Sequence, residues 1–303
     1  MPNLGIAQNI SYYTFGTTRL GDKNISFADR VKTARAAMET GVYFHTSRQY
    51  GDALEVLGKA FKETPSKIPK LIIKIGGGTI AEFRDDIRKN LEPLGVQNLE
   101  IAQLCIGGSL AEEFAVGGNC YKEFEKLRSE GIVNNYVMEV FPWTSEGPLK
   151  ALRGGYPVGI VEAYITYFNP LQRFASNDLW RLLVEKKFPI LALRTIAGGP
   201  VHRLRDVPGA AWVKYLQERA VEVAPIFERS GIANWVDFCL RWARSFPQVL
   251  GTIGATSKIE RLQEALSFTK SAQPLPQDIV AEISALQTRW SDETDIKAKP
   301  WTM

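Results

Sequence analysis

Short apolar runs rich in β-branched residues alternate along this chain with longer segments in which apolar residues recur at helical spacing. A short run of this kind fits a strand buried on both faces. The longer period fits a helix with one buried stripe, so the alternation predicts βαβ units around a parallel sheet. The first helix is predicted to follow Ser26, a hydroxyl N-cap, with Phe27, Val31, Ala34 and Met38 on one face, and to stop at Gly41. Strands are predicted at Ser11 to Phe15, Val42 to Thr46, Leu71 to Ile75, Leu99 to Ile106, Tyr136 to Phe141, Gly159 to Tyr167, Pro189 to Leu193 and Val249 to Ile253. Further helices are predicted at Asp52 to Glu63, Ala81 to Leu94, Tyr121 to Glu130, after Ser145, Asp178 to Lys187, Trp235 to Ser245 and Ile259 to Phe268. Units that repeat without a break fit a closed (β/α)8 barrel better than an open sheet. Helical segments between Ala210 and Ser230, and from Gln277 to Trp290, fall outside the repeat and are predicted to be additions after the seventh strand and at the C-terminus.

Composition narrows the class without changing the fold. The 303 residues are 45% hydrophobic, enough for a large core, and residues 1–303 are expected to form one barrel domain. The net charge of +4 comes from Lys and Arg interspersed with Asp and Glu, so no phosphate-tracking surface, and hence no nucleic-acid partner, is expected. Cys105, Cys120 and Cys239 are too few and too scattered for a disulfide framework or a zinc site, and no other metal-ligand cluster stands out. Without a leader pattern or an apolar run long enough to span a bilayer, a cytoplasmic location away from membranes is expected.

In a barrel of this kind, chemistry gathers at the C-terminal ends of the strands and in the loops that follow them. Four residues fall there: His45 and Tyr50 after the second strand, Lys74 on the third, and Cys105 at the end of the fourth. Lys74 sits in Lys70-Leu-Ile-Ile-Lys74-Ile-Gly76, where a buried ammonium is costly without a partner or a task. A phenol beside it would have its pKa lowered, which makes Tyr50 the candidate general acid, unless it merely caps the strand. His45 is either a base or a residue that hydrogen-bonds a loop. Cys105 is either an inert pocket filler or a thiol activated by its neighbours.

The segment Val42-Tyr-Phe-His45-Thr-Ser-Arg-Gln-Tyr50-Gly51 resembles the signature of the aldo-keto reductases. The resemblance implies an NADP(H)-dependent oxidoreductase acting on a small carbonyl compound or sugar-like alcohol, with an Asp, Tyr, Lys and His tetrad. Tyr50 and Lys74 match that tetrad, whereas His45 stands at the Asp position and Cys105 at the His position. Ile253-Gly-Ala-Thr-Ser-Lys258-Ile-Glu-Arg261-Leu-Gln-Glu264-Ala265 is similar to the segment that binds the 2′-phosphate end of NADPH. It assigns Gly254, Ala255, Thr256, Ser257, Arg261 and Glu264 to the cofactor, with Arg261 on the 2′-phosphate. Gly16, Thr17 and Thr18 resemble the first cofactor loop, and Arg194, Ile196, Gly198 and Gly199 the loop over the pyrophosphate. Glu162 stands where a Gln commonly lies. The Gly-x-Ser-Asn type turn that holds the nicotinamide carboxamide is missing from Tyr136-Val-Met-Glu139-Val-Phe141. Tyr164, Tyr167 and Phe168 are candidates for a stacking face, and Trp143, Trp212 and Phe174 for the pocket lining. With half the tetrad replaced, two other readings stay open. One is a lyase or isomerase using His45 and Tyr50; the other is a silent barrel that binds NADPH.

Overall fold

The computed structural model describes residues 5, 9–106, 109–110, 113, 118–141, 146–154, 160–196 and 213–293. Eight parallel strands close into a barrel: β1 (Tyr13–Gly16), β2 (Phe44–Thr46), β3 (Leu71–Gly77), β4 (Leu99–Ile106), β5 (Val133–Glu139), β6 (Val161–Asn169), β8 (Ile190–Leu193) and β9 (Val249–Ala255). The neighbour order runs β5-β4-β3-β2-β1-β9-β8-β6, and pairing of β5 with β6 closes the ring. A two-residue strand, β7 (Gln172–Arg173), folds back antiparallel on the end of β6 and was not foreseen from the pattern. The (β/α)8 fold expected from the alternation is therefore the fold observed.

The helices are α1 (Phe27–Met38), α2 (Ala53–Glu63), α3 (Ile80–Leu94), α4 (Asn119–Ser129), α5 (Glu146–Gly154), α6 (Asn177–Glu185), α7 (Val213–Arg229), α8 (Trp235–Arg244), α9 (Ile259–Ser271) and α10 (Gln277–Glu293). Local chemistry sets their ends. The Ser26 side chain caps α1 by accepting from the Asp29 amide. Thr79 and Glu82 form a reciprocal capping box on α3, which stops at Gly95 in the left-handed region. Helices α7 and α10 are the two expected additions. Helix α10 reaches the rim, where Gln287 Nε2 donates to the carbonyl of Asn169 at 2.8 Å.

The strand period of two sorts the side chains between two cores. Tyr43, Ile72, Ile101, Val137, Ala163, Ile165, Leu191, Leu193 and Ile253 fill the barrel interior. Phe15, Phe44, Ile73, Ile75, Tyr136, Tyr164 and Phe168 face the helices. In parallel register Ile72 pairs with His45 on one side and Ile101 on the other, so residues two positions further along β3 and β4 also face inward. This parity carries Lys74, Gln103, Cys105 and Glu139 into the barrel on the interior side.

Candidate active site

The loop after β2 is held from three directions. Backbone turns close it, with Tyr50 N donating to Ser47 O and Ala53 N to Tyr50 O, and Gly51 takes a positive φ of +61° that a side chain would resist. Arg30 on α1 forks onto Asp52, with Nη2 3.1 Å from Oδ2 and Nη1 2.5 Å from Oδ1. On α3, Asp86 takes the Arg48 guanidinium and the Gly76 amide, and Asn90 Oδ1 accepts the Arg48 amide at 2.9 Å. Tyr50 is thereby fixed at the rim with its ring centroid 6.1 Å from that of His45. Burial pushes its phenol up to about 12. Lys74 and a hydrogen bond with Thr18 pull the other way, and Tyr167 and Glu139 add to the rise. The expected net lowering by Lys74 is therefore corrected: desolvation wins, and the phenol stays protonated through the neutral range.

Lys74 has a partner that the residue pattern did not reveal. Its Nζ lies 2.9 Å from Oε1 of Glu139, the last residue of β5, and both side chains are almost fully shielded from water. Burial works against the ammonium, but Tyr50, Glu139, Cys105 and Tyr167 outweigh it and raise the Lys74 pKa. Cys105 Sγ donates to the other carboxylate oxygen, Oε2, at 2.5 Å. Burial, with Glu139 next, raises this thiol well above its ordinary value. A protonated donor is the opposite of the activated thiolate considered from sequence.

His45 is shut inside the barrel, and its Nε2 is 2.7 Å from Gln103 Oε1. A contact to an amide oxygen makes Nε2 the donor of a neutral ring and leaves Nδ1 as an acceptor. Burial first, then the nearby Lys74 charge, lowers the His45 pKa to about 3, while the Gln103 bond resists. Below it, Gln103 Nε2 is buried with no hydrogen-bond partner among the described residues.

Of the residues expected to meet a cofactor, Gly16 ends β1 and pairs with His45 and Ala255. Thr17 spends its hydroxyl on β2, bonding the His45 carbonyl and Thr46 Oγ1. Thr18 is exposed beside Tyr50. Arg194 takes an unusual φ of +52° directly after β8, and its guanidinium lies 4.8 Å from the centroid of the inward-facing Tyr167 ring. Asn169 Nδ2 holds the Arg194 carbonyl at 3.0 Å. Ile196 follows, partly buried, while Gly198 and Gly199, like Trp143 and Trp212, lie outside the described residues.

At the next rim position, Gly254 and Ala255 end β9, and Thr256 Oγ1 accepts the Lys258 amide at 3.1 Å. The Ser257 carbonyl is bonded by Thr33 of α1 at 3.3 Å. Helix α9 begins here with no side chain capping its first turn. Arg261 and Lys258 are exposed, and neither is ion-paired among the described residues. Uncapped amides and free cations suit a phosphate monoester, so the residues present fit the expected group. Glu264 instead accepts from Asn234 Nδ2 at 2.9 Å, which ties α9 to the N-cap of α8.

Glu162 is not brought to this rim. It is the second residue of β6, at the opposite end of the strand, and it shares its parity with the outward-facing Tyr164. Its carboxylate lies 3.6 Å from Arg128 on α4. Of the three aromatics on β6, only Tyr167 faces inward, where it stacks with Phe174 at 5.0 Å and meets Phe141 edge-on at 5.6 Å.

A closed parallel barrel with a tyrosine and a buried, carboxylate-paired lysine at one rim defines a (β/α)8 barrel whose candidate site lies at the C-terminal ends of its strands. The Aldo/keto reductase family model matches residues 14–288, and the chain belongs to that family, whose members are oxidoreductases. No curated protein matches the chain. Among solved structures it is similar to an aldo-keto reductase from Klebsiella pneumoniae in complex with NADPH. The identity is 20%, coverage 92% of each chain and the TM-score 0.67. It is also similar to the holo form of an aldo-keto reductase from Bacillus halodurans, at 19% identity, 94% coverage of this chain, 95% of that one, and a TM-score of 0.68. Among the described residues, no helix is long and apolar enough to cross a membrane.

Proposed function

We propose that this protein is an NADP(H)-dependent oxidoreductase that moves a hydride between the cofactor and the carbonyl or sugar-like alcohol carbon of a small molecule. The observation that carries the reading is Tyr50, locked at the rim within electrostatic reach of a Lys74 whose positive charge is secured by a buried carboxylate. NADP(H), when bound, supplies or accepts the hydride. Tyr50 holds the proton: its phenol, protonated at neutral pH, donates to the carbonyl oxygen as charge develops there. Lys74 then stabilises the phenolate left behind, since an ammonium favours the charged form of a neighbouring phenol. Arg261 and Lys258 would hold the 2′-phosphate, and the strained Arg194 with the loop that follows would lie over the pyrophosphate. Glu162 and Glu264 have structural partners and are left out of the cofactor set. Tyr167, Phe141 and Phe174 supply an apolar wall for the substrate. A reducing, cytoplasmic setting accords with free Cys105, Cys120 and Cys239.

The state of His45 weighs against the lyase reading. An imidazole whose conjugate acid ionises near 3 is a poor proton acceptor at neutral pH. Tyr50→Phe tests the proposal. Turnover with a responsive member of a carbonyl panel should fall by roughly a hundredfold or more, in keeping with a lost general acid. NADPH affinity should stay within a few-fold. Undiminished turnover would refute the assignment.

A further inference from the structure

The carboxylate on Lys74 comes from an unexpected direction. The strand-two position that the family resemblance gives to an acid holds His45, a neutral ring engaged with Gln103. Glu139 reaches across from β5, two strands away from β3, and places one oxygen 2.9 Å from Lys74 Nζ and the other 2.5 Å from Cys105 Sγ. All three side chains share the inward parity of their strands. The array is thus a carboxylate gripped by one donor from β3 and one from β4.

We propose that Glu139 is the positioning residue of this site, a carboxylate relocated to strand five that fixes the Lys74 ammonium in the place left by the His45 substitution, with Cys105 as its second donor. Its part in turnover rests on the reductase reading above. Two consequences follow from the geometry. First, His45 and Cys105 are coupled departures: the acid lost at one position is replaced from the other side, and the thiol at the second position serves the replacement. A histidine cation at residue 105 would compete with Lys74 for Glu139, whereas a thiol donates without bringing a charge. Second, the proton on Cys105 reports on Glu139. The groups acting on this cluster are Tyr50 and His45 at β2, Lys74 on β3, Asp86 on α3 and Tyr167 on β6. Glu139 itself is the carboxylate in direct contact with both the thiol and the ammonium.

The test is the pH-dependent alkylation of Cys105 by iodoacetamide, followed by peptide mass spectrometry in the wild type, Glu139→Gln, Lys74→Met/Glu139→Gln and Glu139→Gln/His45→Asp. Loss of the adjoining carboxylate, with Lys74 retained, should speed labelling of Cys105 at pH 8 by roughly tenfold or more. The charge-free pair should label at a rate between those of the wild type and Glu139→Gln, and it takes the place of the single variant if that one does not fold. A Cys105 rate unchanged from wild type in whichever of these two variants folds would overturn the proposal. This readout needs no cofactor and no substrate, so it is independent of whether the protein reduces a carbonyl. With NADPH and a responsive carbonyl, Glu139→Gln should lower kcat by roughly tenfold or more while NADPH affinity is held. Adding His45→Asp should recover most of that loss and leave Cys105 quick to label. Full turnover in Glu139→Gln would overturn the positioning role and leave the reductase reading intact.

Discussion

Lys74 and Glu139, on strands separated by β4, form a 2.9 Å ion pair inside the barrel with both side chains all but excluded from water. Two charges taken out of water depend on each other, and removing one strands its partner. Glu139→Gln should therefore destabilise the fold by about 3–5 kcal/mol, whereas Lys74→Met/Glu139→Gln should recover most of that loss. Urea unfolding of the three proteins checks this. Equal loss in the single and double variants would show that the two charges are not coupled.

Gly21 bears on Tyr50 through the backbone. A Cβ at Gly21 would lie 1.9 Å from the Tyr50 carbonyl oxygen and 2.7 Å from its carbonyl carbon, and neither atom can swing aside as a flexible side chain would. Gly21→Ala should push the 47–52 loop out of place. A stability cost of about 1–3 kcal/mol is expected from the overpacking, together with a loss of turnover larger than any loss of NADPH affinity. Unchanged kcat in a folded Gly21→Ala protein would mean that the Tyr50 position is not set by this contact.

His45 makes stability depend on pH. Its folded pKa of about 3 lies below the ordinary value of 6.5, so between those values the unfolded chain binds a proton that the folded one refuses. Stability is then fully present above pH 6.5 and is lost as the pH falls toward 3, by up to about 1.4 kcal/mol per pH unit from this group. His45→Gln, which cannot titrate, should show a shallower decline in unfolding free energy between about pH 6.5 and about pH 4.5. Parallel slopes for variant and wild type would contradict a neutral, buried His45.

Strand and helix identity was legible because the apolar period changes from element to element, and Ser26 marks the start of α1 where the structure has it. The parity of each strand was equally available. Tyr164 and Phe168 are four residues apart and share the outer face, so Tyr167 had to face inward, and Glu162, two before Tyr164, had to face outward. The same counting from Val137 places Glu139 inside. What no spacing could give is that a side chain on β5 meets one on β3, because that contact depends on barrel closure and on the reach of a lysine. The net rise of the Tyr50 pKa was hidden for a similar reason. Its sign depends on how much water the assembled rim excludes, and that is a property of the packed structure, not of neighbouring residue types.

Arg261 and Lys258 carry the cofactor choice. Both are exposed at an uncapped helix start, with no ion pair among the described residues to neutralise them. Arg261→Ala should weaken NADPH binding by roughly tenfold or more, in line with the loss of a charge-assisted phosphate contact, and leave NADH binding nearly unchanged. An unaltered preference in the variant would move the 2′-phosphate elsewhere.

The most direct measurement is a titration of the purified protein with NADPH and with NADH, followed by quenching of the fluorescence of its seven tryptophans. Saturable binding in roughly the micromolar range, tighter for NADPH than for NADH, is the expected result for an NADP(H)-dependent oxidoreductase built on Tyr50 and Lys74. Absence of binding by either nucleotide, in protein shown to be folded, would contradict it.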